Sequence, residues 1–213
     1  MTRESIPTEP PRLVHEGAIE YLRAADPVLA RVIDSVGPLD RRAEPDLWRS
    51  LVGSIISQQV STRAAATITE RYAALSGDGF TGPFFVVSAD DEVLRSCGLS
   101  RAKTRAVRDL AERWTDGRLP WRTLPGMHDD EVIETLCAVV GIGRWTAEMV
   151  LIFSLARPDV LPVGDLGLRE AVRRAYALHA RPAPAEIAPL AEPWRPFRSV
   201  ATLYLWRSLA MPG

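Results

Sequence analysis

Apolar residues recur every three to four positions through most of this chain, and short clusters of Gly, Pro, Asp and Ser separate the runs that carry the rhythm. That period predicts helices over about 13–24, 26–36, 45–57, 61–76, 89–97, 101–115, 129–140, 145–156, 165–178, 184–191 and 196–210. "STRAA" and "SADDE" read as helix N-caps, and "GPLDRRAEP", "SGDGFTGP", "DGRLPWRTLPGMHD" and "LARPDVLPVGD" supply the turns. Only "FFVVS", residues 84–88, reads as a short strand or a buried loop. No repeat or low-complexity tract appears. The pattern predicts an all-α protein of two helical lobes, divided near 37–45 and again near 179–195.

Composition adds limits. With 213 residues and 46% apolar content, the chain fills an ordinary core. The Pro-rich, acidic start "MTRESIPTEPPR" predicts a disordered segment over 1–12 and lacks the apolar run of a signal peptide. No stretch approaches the roughly 18 uncharged apolar residues of a membrane span, so the expected location is the cytoplasm. Cys97 and Cys137 are too few and too far apart for a disulfide framework, a zinc site or an iron–sulfur cluster, and both are expected to be buried thiols.

Net charge is −1, but it is unevenly spread: eight basic residues (Arg95, Arg101, Lys103, Arg105, Arg108, Arg113, Arg118, Arg122) stand between 95 and 122 against three acidic ones. Lys103 is the only lysine. One side of the molecule is therefore expected to be positive.

The stretch "VVGIGRWTAEM", 139–149, sets two glycines one residue apart ahead of a helix start. Amides around Gly141 and Gly143, at the positive end of a helix dipole, form an anion-binding concavity suited to a DNA phosphate. The alternative is an ordinary corner whose glycines only allow positive φ. Helix 129–140, this turn and helix 145–156 have the spacing of a helix–hairpin–helix, and "VLPVGDLGLREAV" follows about 20 residues later.

Taken together, "LCAVVGIGRWTAEMVLIFSLARPDVLPVGDLGLREAVRRAY", "LVGSIISQQVSTRAAATI" and "GLSRAKTRAVRDLAERW" resemble the helix–hairpin–helix DNA glycosylase superfamily, in its AlkA-like, 3-methyladenine DNA glycosylase II branch. The resemblance covers about 45–210; Val140 departs from the Pro often found there, and the chain is too short for the extra N-terminal β-domain of some members. It implies a two-lobed fold with the active site in the cleft between lobes. Residues 13–44 would supply helices packing with the C-terminal ones, 45–178 the core with the hairpin and a catalytic Asp, and 179–213 the rest of the second lobe.

Breaking an N-glycosidic bond passes through a sugar cation, which calls for a nearby negative charge and a positioned water. The resemblance assigns that carboxylate to Asp165, whose other reading is a plain N-cap. Alkylated purines already carry positive charge and leave without an acid, so one carboxylate suffices. Lyase members carry a lysine where this sequence has Trp145, which implies a monofunctional hydrolase. The resemblance places Trp145, Met149 and Phe197 in a pocket for the flipped base, with Trp194 as a neighbouring candidate. An indole face there favours a cationic base.

It places the gap-filling side chain near Gln58 and Gln59, otherwise a polar helix end, and the phosphate hairpin over Gly141, Ile142, Gly143, Arg144 and Thr146. Arg101, Lys103, Arg105 and Arg108 read as phosphate contacts or as a solvated helix face. Trp114 and Trp206 read as core. No cofactor is required, though a monovalent cation on the hairpin carbonyls is consistent with the family. The expected substrate is alkylated double-stranded DNA, acted on by a monomer in a bacterial cytoplasm at the nucleoid. A non-catalytic lesion-binding protein is the other reading, and Asp165 separates the two.

Overall fold

The computed structural model describes residues 9–77 and 79–211, and these form twelve α-helices and two 3-10 turns, with no strand beyond an isolated Arg12–Arg42 bridge. In chain order they are α1 (Ala18–Ala25), α2 (Pro27–Val36), α3 (Leu47–Ser57), α4 (Thr62–Ala73), α5 (Pro83–Ser88), α6 (Asp91–Ser96), α7 (Arg101–Thr115), α8 (Asp129–Cys137), α9 (Arg144–Phe153), α10 (Leu166–Ala175), α11 (Pro184–Leu190) and α12 (Arg198–Ser208). None of the described helices is long and apolar enough to cross a membrane.

The chain forms two compact units, one of 1–45 with 151–213 and one of 46–150. The second division therefore falls inside α9, not near 179–195. Residues 151–178 depart from the expected central block because α10 packs on α12 and α2, sharing the core that Leu168 and Val172 build with Leu29, Ile33, Val200 and Tyr204.

In the first unit, α1 starts at Ala18 rather than 13, because Gly17 stands left-handed at φ 72° as its N-cap. The expected disorder over 1–12 lies outside the described residues for 1–8. Glu9 to Arg12, by contrast, are tied down: Ala43 N donates to Pro11 O at 2.8 Å, and Arg42 Nη2 meets Glu9 Oε2 at 2.8 Å. At the centre of the unit Asp26 caps α2, accepting from the amides of Val28 and Leu29 at 2.8 and 3.1 Å. It also accepts from the Tyr176 hydroxyl and, at 2.8 Å, from Trp194 Nε1.

The second unit is built around Leu51, Val52, Ile55, Tyr72, Leu94, Val107, Leu110 and Leu136, all fully or almost fully buried. The "FFVVS" stretch is helical here, as α5, against the expectation of strand or loop. Pro83 sets its first turn, Val86 anchors it in the core, and the Arg108 guanidinium donates to the carbonyls of Val86 (3.1 Å) and Ala89 (2.7 Å) at its end. Tertiary caps thus override a β-branched local preference. After α7, Trp121 stacks on Trp114 (centroids 4.7 Å apart, 10° between planes), with the Arg122 guanidinium 4.1 Å from the Trp121 ring and Trp48 edge-on to Trp114 at 5.4 Å. Cys97 is buried as expected, but Cys137 is exposed, because the last residue of α8 turns its side chain to solvent.

Burial opposes ionisation of Asp26, but its hydrogen bonds from Trp194, Tyr176 and the two amides outweigh burial and hold its pKa below the ordinary value. A depressed folded-state pKa gives stability that is present above the unfolded value, near 4, and lost as pH falls through the folded one. Asp26→Asn is expected to cost about 1–3 kcal/mol in urea unfolding at neutral pH. It should also flatten the loss of stability that wild type shows below about pH 4. Parallel stability curves for the two proteins in that acid range would remove Asp26 from this role.

Candidate active site and nucleic-acid interface

In the first unit, the segment between α9 and α10 is stapled to the start of α12. Ser199 N donates to Pro158 O at 2.9 Å, Val160 N donates to Ser199 Oγ at 2.9 Å, and Arg198 Nε and Nη2 grip the Asp159 carboxylate at 2.6 and 3.0 Å. The segment ends at Asp165, the N-cap of α10, whose Oδ1 accepts from Leu168 N at 2.6 Å. The same oxygen accepts from Trp206 Nε1 at 2.7 Å.

Asp165 thus caps α10 and also binds an indole, and both donors fix the direction of its carboxylate. Gly167 makes room for this: a Cβ there would lie 3.1 Å from Asp165 Oδ1 and 3.3 Å from both Trp206 Cδ1 and Nε1. Trp206 in turn stacks on Phe153 (5.8 Å, 22°), over which the Arg41 guanidinium sits at 4.4 Å. Periodicity reads Trp206 as core; its indole N–H makes it a partner of the carboxylate.

Trp194 is not a pocket residue. It is fully buried and spends its N–H on Asp26. Phe197 is half-buried and packs edge-on against Tyr21, centroids 5.5 Å apart.

The hairpin between α8 and α9 belongs to the second unit. Gly141 is left-handed at φ +80°, and a Cβ on it would meet Ala106 Cβ at 2.9 Å, whereas a Cβ on Gly143 would meet nothing within 4 Å. Sterics of the free protein therefore explain the first glycine but not the second. Ile142 and Thr146 are buried at 4% and 3% exposure, so neither side chain faces an anion, and the Ile142 amide is spent on Val139 O at 3.1 Å. Arg144 is exposed at the start of α9, with Nε 3.0 Å from Glu148 Oε1. Trp145 is 44% exposed, while Met149, one turn on, is buried.

One side of α7 carries the hairpin. Asp109 Oδ2, held by Arg113 Nε at 2.9 Å, accepts from Val140 N at 2.8 Å. Gln58 Nε2 donates to Gly141 O at 2.9 Å, so its side chain supports the hairpin and is not aimed out as a gap filler. Gln59, exposed and left-handed at φ 56°, is the tip of that turn. Lys103 is no surface phosphate contact either: Nζ donates to Ile56 O at 2.6 Å at the end of α3, and burial lowers its pKa. Arg108 is committed to α5 and to Asp91 at 2.7 Å. Arg101 and Arg105 are exposed on α7. Hairpin carbonyls also have internal donors, Val139 O from Ile142 N at 3.1 Å and Gly143 O from Ala147 N at 3.1 Å.

Pattern reasoning missed Trp206, Asp109 and the Ala106 contact. Their partners lie 31 to 41 residues away in sequence, too far for any local signal.

Residues 52–196 match the HhH-GPD superfamily base excision DNA repair protein family. Schizosaccharomyces pombe DNA-3-methyladenine glycosylase 1 is 33% identical over 182 residues, spanning 84% of this chain and 80% of that protein. The solved structure of S. pombe 3-methyladenine DNA glycosylase (Mag1) in complex with abasic-DNA superposes with a TM-score of 0.82 at 33% identity, covering 89% of this chain and 95% of that one. Bacillus halodurans DNA-3-methyladenine glycosidase gives 0.83 at 35% identity, covering 92% and 90%.

The two glycines should separate in stability. Gly141→Ala is expected to cost about 1–3 kcal/mol through positive φ and the Ala106 clash, while Gly143→Ala stays within about 1 kcal/mol of wild type. Equal losses in urea titrations would refute this division.

Proposed function

The chain belongs to the HhH-GPD superfamily of base excision DNA repair proteins, and on that footing we propose that it is a DNA glycosylase that flips alkylated purines out of duplex DNA and excises them by hydrolysis. The observation that carries the reading is Asp165 at a helix N-terminus, its carboxylate oriented by Leu168 N–H and Trp206 Nε1–H.

Departure of the base leaves positive charge on the sugar, and a fixed carboxylate stabilises that charge without reorganising. The same group orients or deprotonates the incoming water. Substrates such as 3-methyladenine and 7-methylguanine leave as neutral bases from a cationic ground state, so no second acid is needed. The exposed indole of Trp145 offers such a cation an attractive face. The hydrolysis is monofunctional: a lyase step needs an amine at C1′, and the one lysine gives its ammonium to Ile56 O.

The hairpin amides of Gly141, Gly143 and Arg144 take a backbone phosphate, with Arg101 and Arg105 adding charge, and Gln59 fills the space the base vacates. A monovalent cation on the hairpin carbonyls would share those oxygens with the donors already present. The protein acts as a monomer.

Single-turnover release of 3-methyladenine and 7-methylguanine from methylated duplex, with the bases identified by chromatography, tests the proposal. Asp165→Asn keeps the cap and is expected to lose about 100- to 1000-fold in excision while holding or tightening its grip on lesion DNA. Trp206→Phe keeps the ring but loses the N–H, with an expected drop of about 10- to 100-fold at unchanged affinity. Excision by folded Asp165→Asn within a few fold of wild type would discard the mechanism. No release by wild type would leave a lesion-binding protein.

Phosphate binding by the hairpin has its own test. Gly143→Val is expected to fold, yet to weaken binding to damaged and undamaged duplexes alike at fixed salt. Normal affinity would refute the hairpin's role.

A further inference from the structure

The turn that carries Gln59 and the hairpin at 140–144 are 80 residues apart in sequence but belong to one closed ring of contacts. Lys103 Nζ holds Ile56 O at the end of α3 (2.6 Å), and Gln58, the C-cap of α3, holds Gly141 O (2.9 Å). Gly141 presses on Ala106, and Val140 N donates to Asp109 (2.8 Å). Lys103, Ala106 and Asp109 are successive supports along α7, so the ring closes on a single rigid helix. On the far side of the turn, Ser61 Oγ accepts from Ala64 N at 3.2 Å and starts α4. Gln59 is thus displayed from a turn fixed at both ends, and the Gln58 amide ties that turn directly to the hairpin.

We infer that Gln58 is a positioning residue that sets the spacing between the Gln59 wedge and the phosphate-binding hairpin. The inference rests on the glycosylase reading. Pushing a side chain into a base stack exerts an equal force back on the protein, and the wedge enters only if the backbone is held at a fixed distance while it does so. The Nε2 to Gly141 O bond supplies that fixed distance. Gln58 then affects extrusion of the base more than affinity for DNA or the chemistry at Asp165.

The test uses the full chain and two duplexes with one 7-methylguanine, set opposite cytosine in the first and opposite an abasic analogue in the second, where extrusion costs least. Gln58→Met keeps length but deletes the donor. It is expected to slow single-turnover excision about tenfold or more on the first duplex and by less than about threefold on the second, with affinity for undamaged duplex falling by less than about threefold. Gln58→Glu, which sets a carboxylate against the Gly141 carbonyl, should show the same pattern more strongly. Since both residues serve one step, Gln58→Met with Gln59→Ala should be no slower than the slower single variant.

Equal loss on both duplexes, no loss on either, or multiplying losses in the double variant would each overturn the inference while wild-type excision keeps the glycosylase reading intact. Absence of base release by wild type from either duplex would overturn both.

Discussion

A carboxylate at a helix N-terminus keeps one direction only when donors hold it, and in the first unit two donors converge on a single oxygen of Asp165. Much of that unit is arranged to satisfy this one constraint. Leu168 N–H comes with the helix itself. Trp206 comes from α12, and the indole reaches because residue 167 has no side chain. α12 is in turn anchored at its start by the Arg198–Asp159 pair and by Ser199, on the same segment that delivers Asp165. The segment, the cap and the indole form one geometric unit, so a change in any of them redirects the carboxylate.

The second unit solves a different problem, that of presenting backbone. A hairpin offering N–H groups to an anion cannot also bury them, and so its rigidity must come from elsewhere. Here it comes from the side chains of Ile142 and Thr146, which point inward, and from Asp109, Ala106 and Gln58, which hold its flank. Val140 keeps an N–H that a proline would lack, and Asp109 uses it as a tether. Lys103, chemically the most conspicuous residue in the chain, is part of this scaffold.

Most helices were legible because an amphipathic period survives any tertiary context, and the hairpin because glycine pairs before a helix are rare outside turns. Asp165 was legible as a cap on local grounds, and as a catalytic candidate only through resemblance. What sequence pattern could not reveal were pairings between distant residues. Trp206 reads as core on its own helix, since only Asp165, 41 positions earlier, gives its N–H a purpose. Gln58 reads as a surface amide because Gly141 lies 83 positions on. The α5 stretch misled for the same reason: its valines favour a strand locally, and the guanidinium that caps it as a helix is about twenty residues away. Trp194 was misplaced because a tryptophan beside the C-terminal helix looks alike whether it faces a ligand or a buried carboxylate.

The parallel contact of Trp114 with Trp121 reaches beyond packing. Two indoles this close and this nearly coplanar share their electronic excitations, so their near-ultraviolet transitions split instead of adding. Trp48 meets Trp114 edge-on at 74° between planes, and Trp206 stacks on a phenylalanine rather than on another indole. The second unit therefore carries an optical signature, a circular-dichroism couplet that reports the order of the loop after α7.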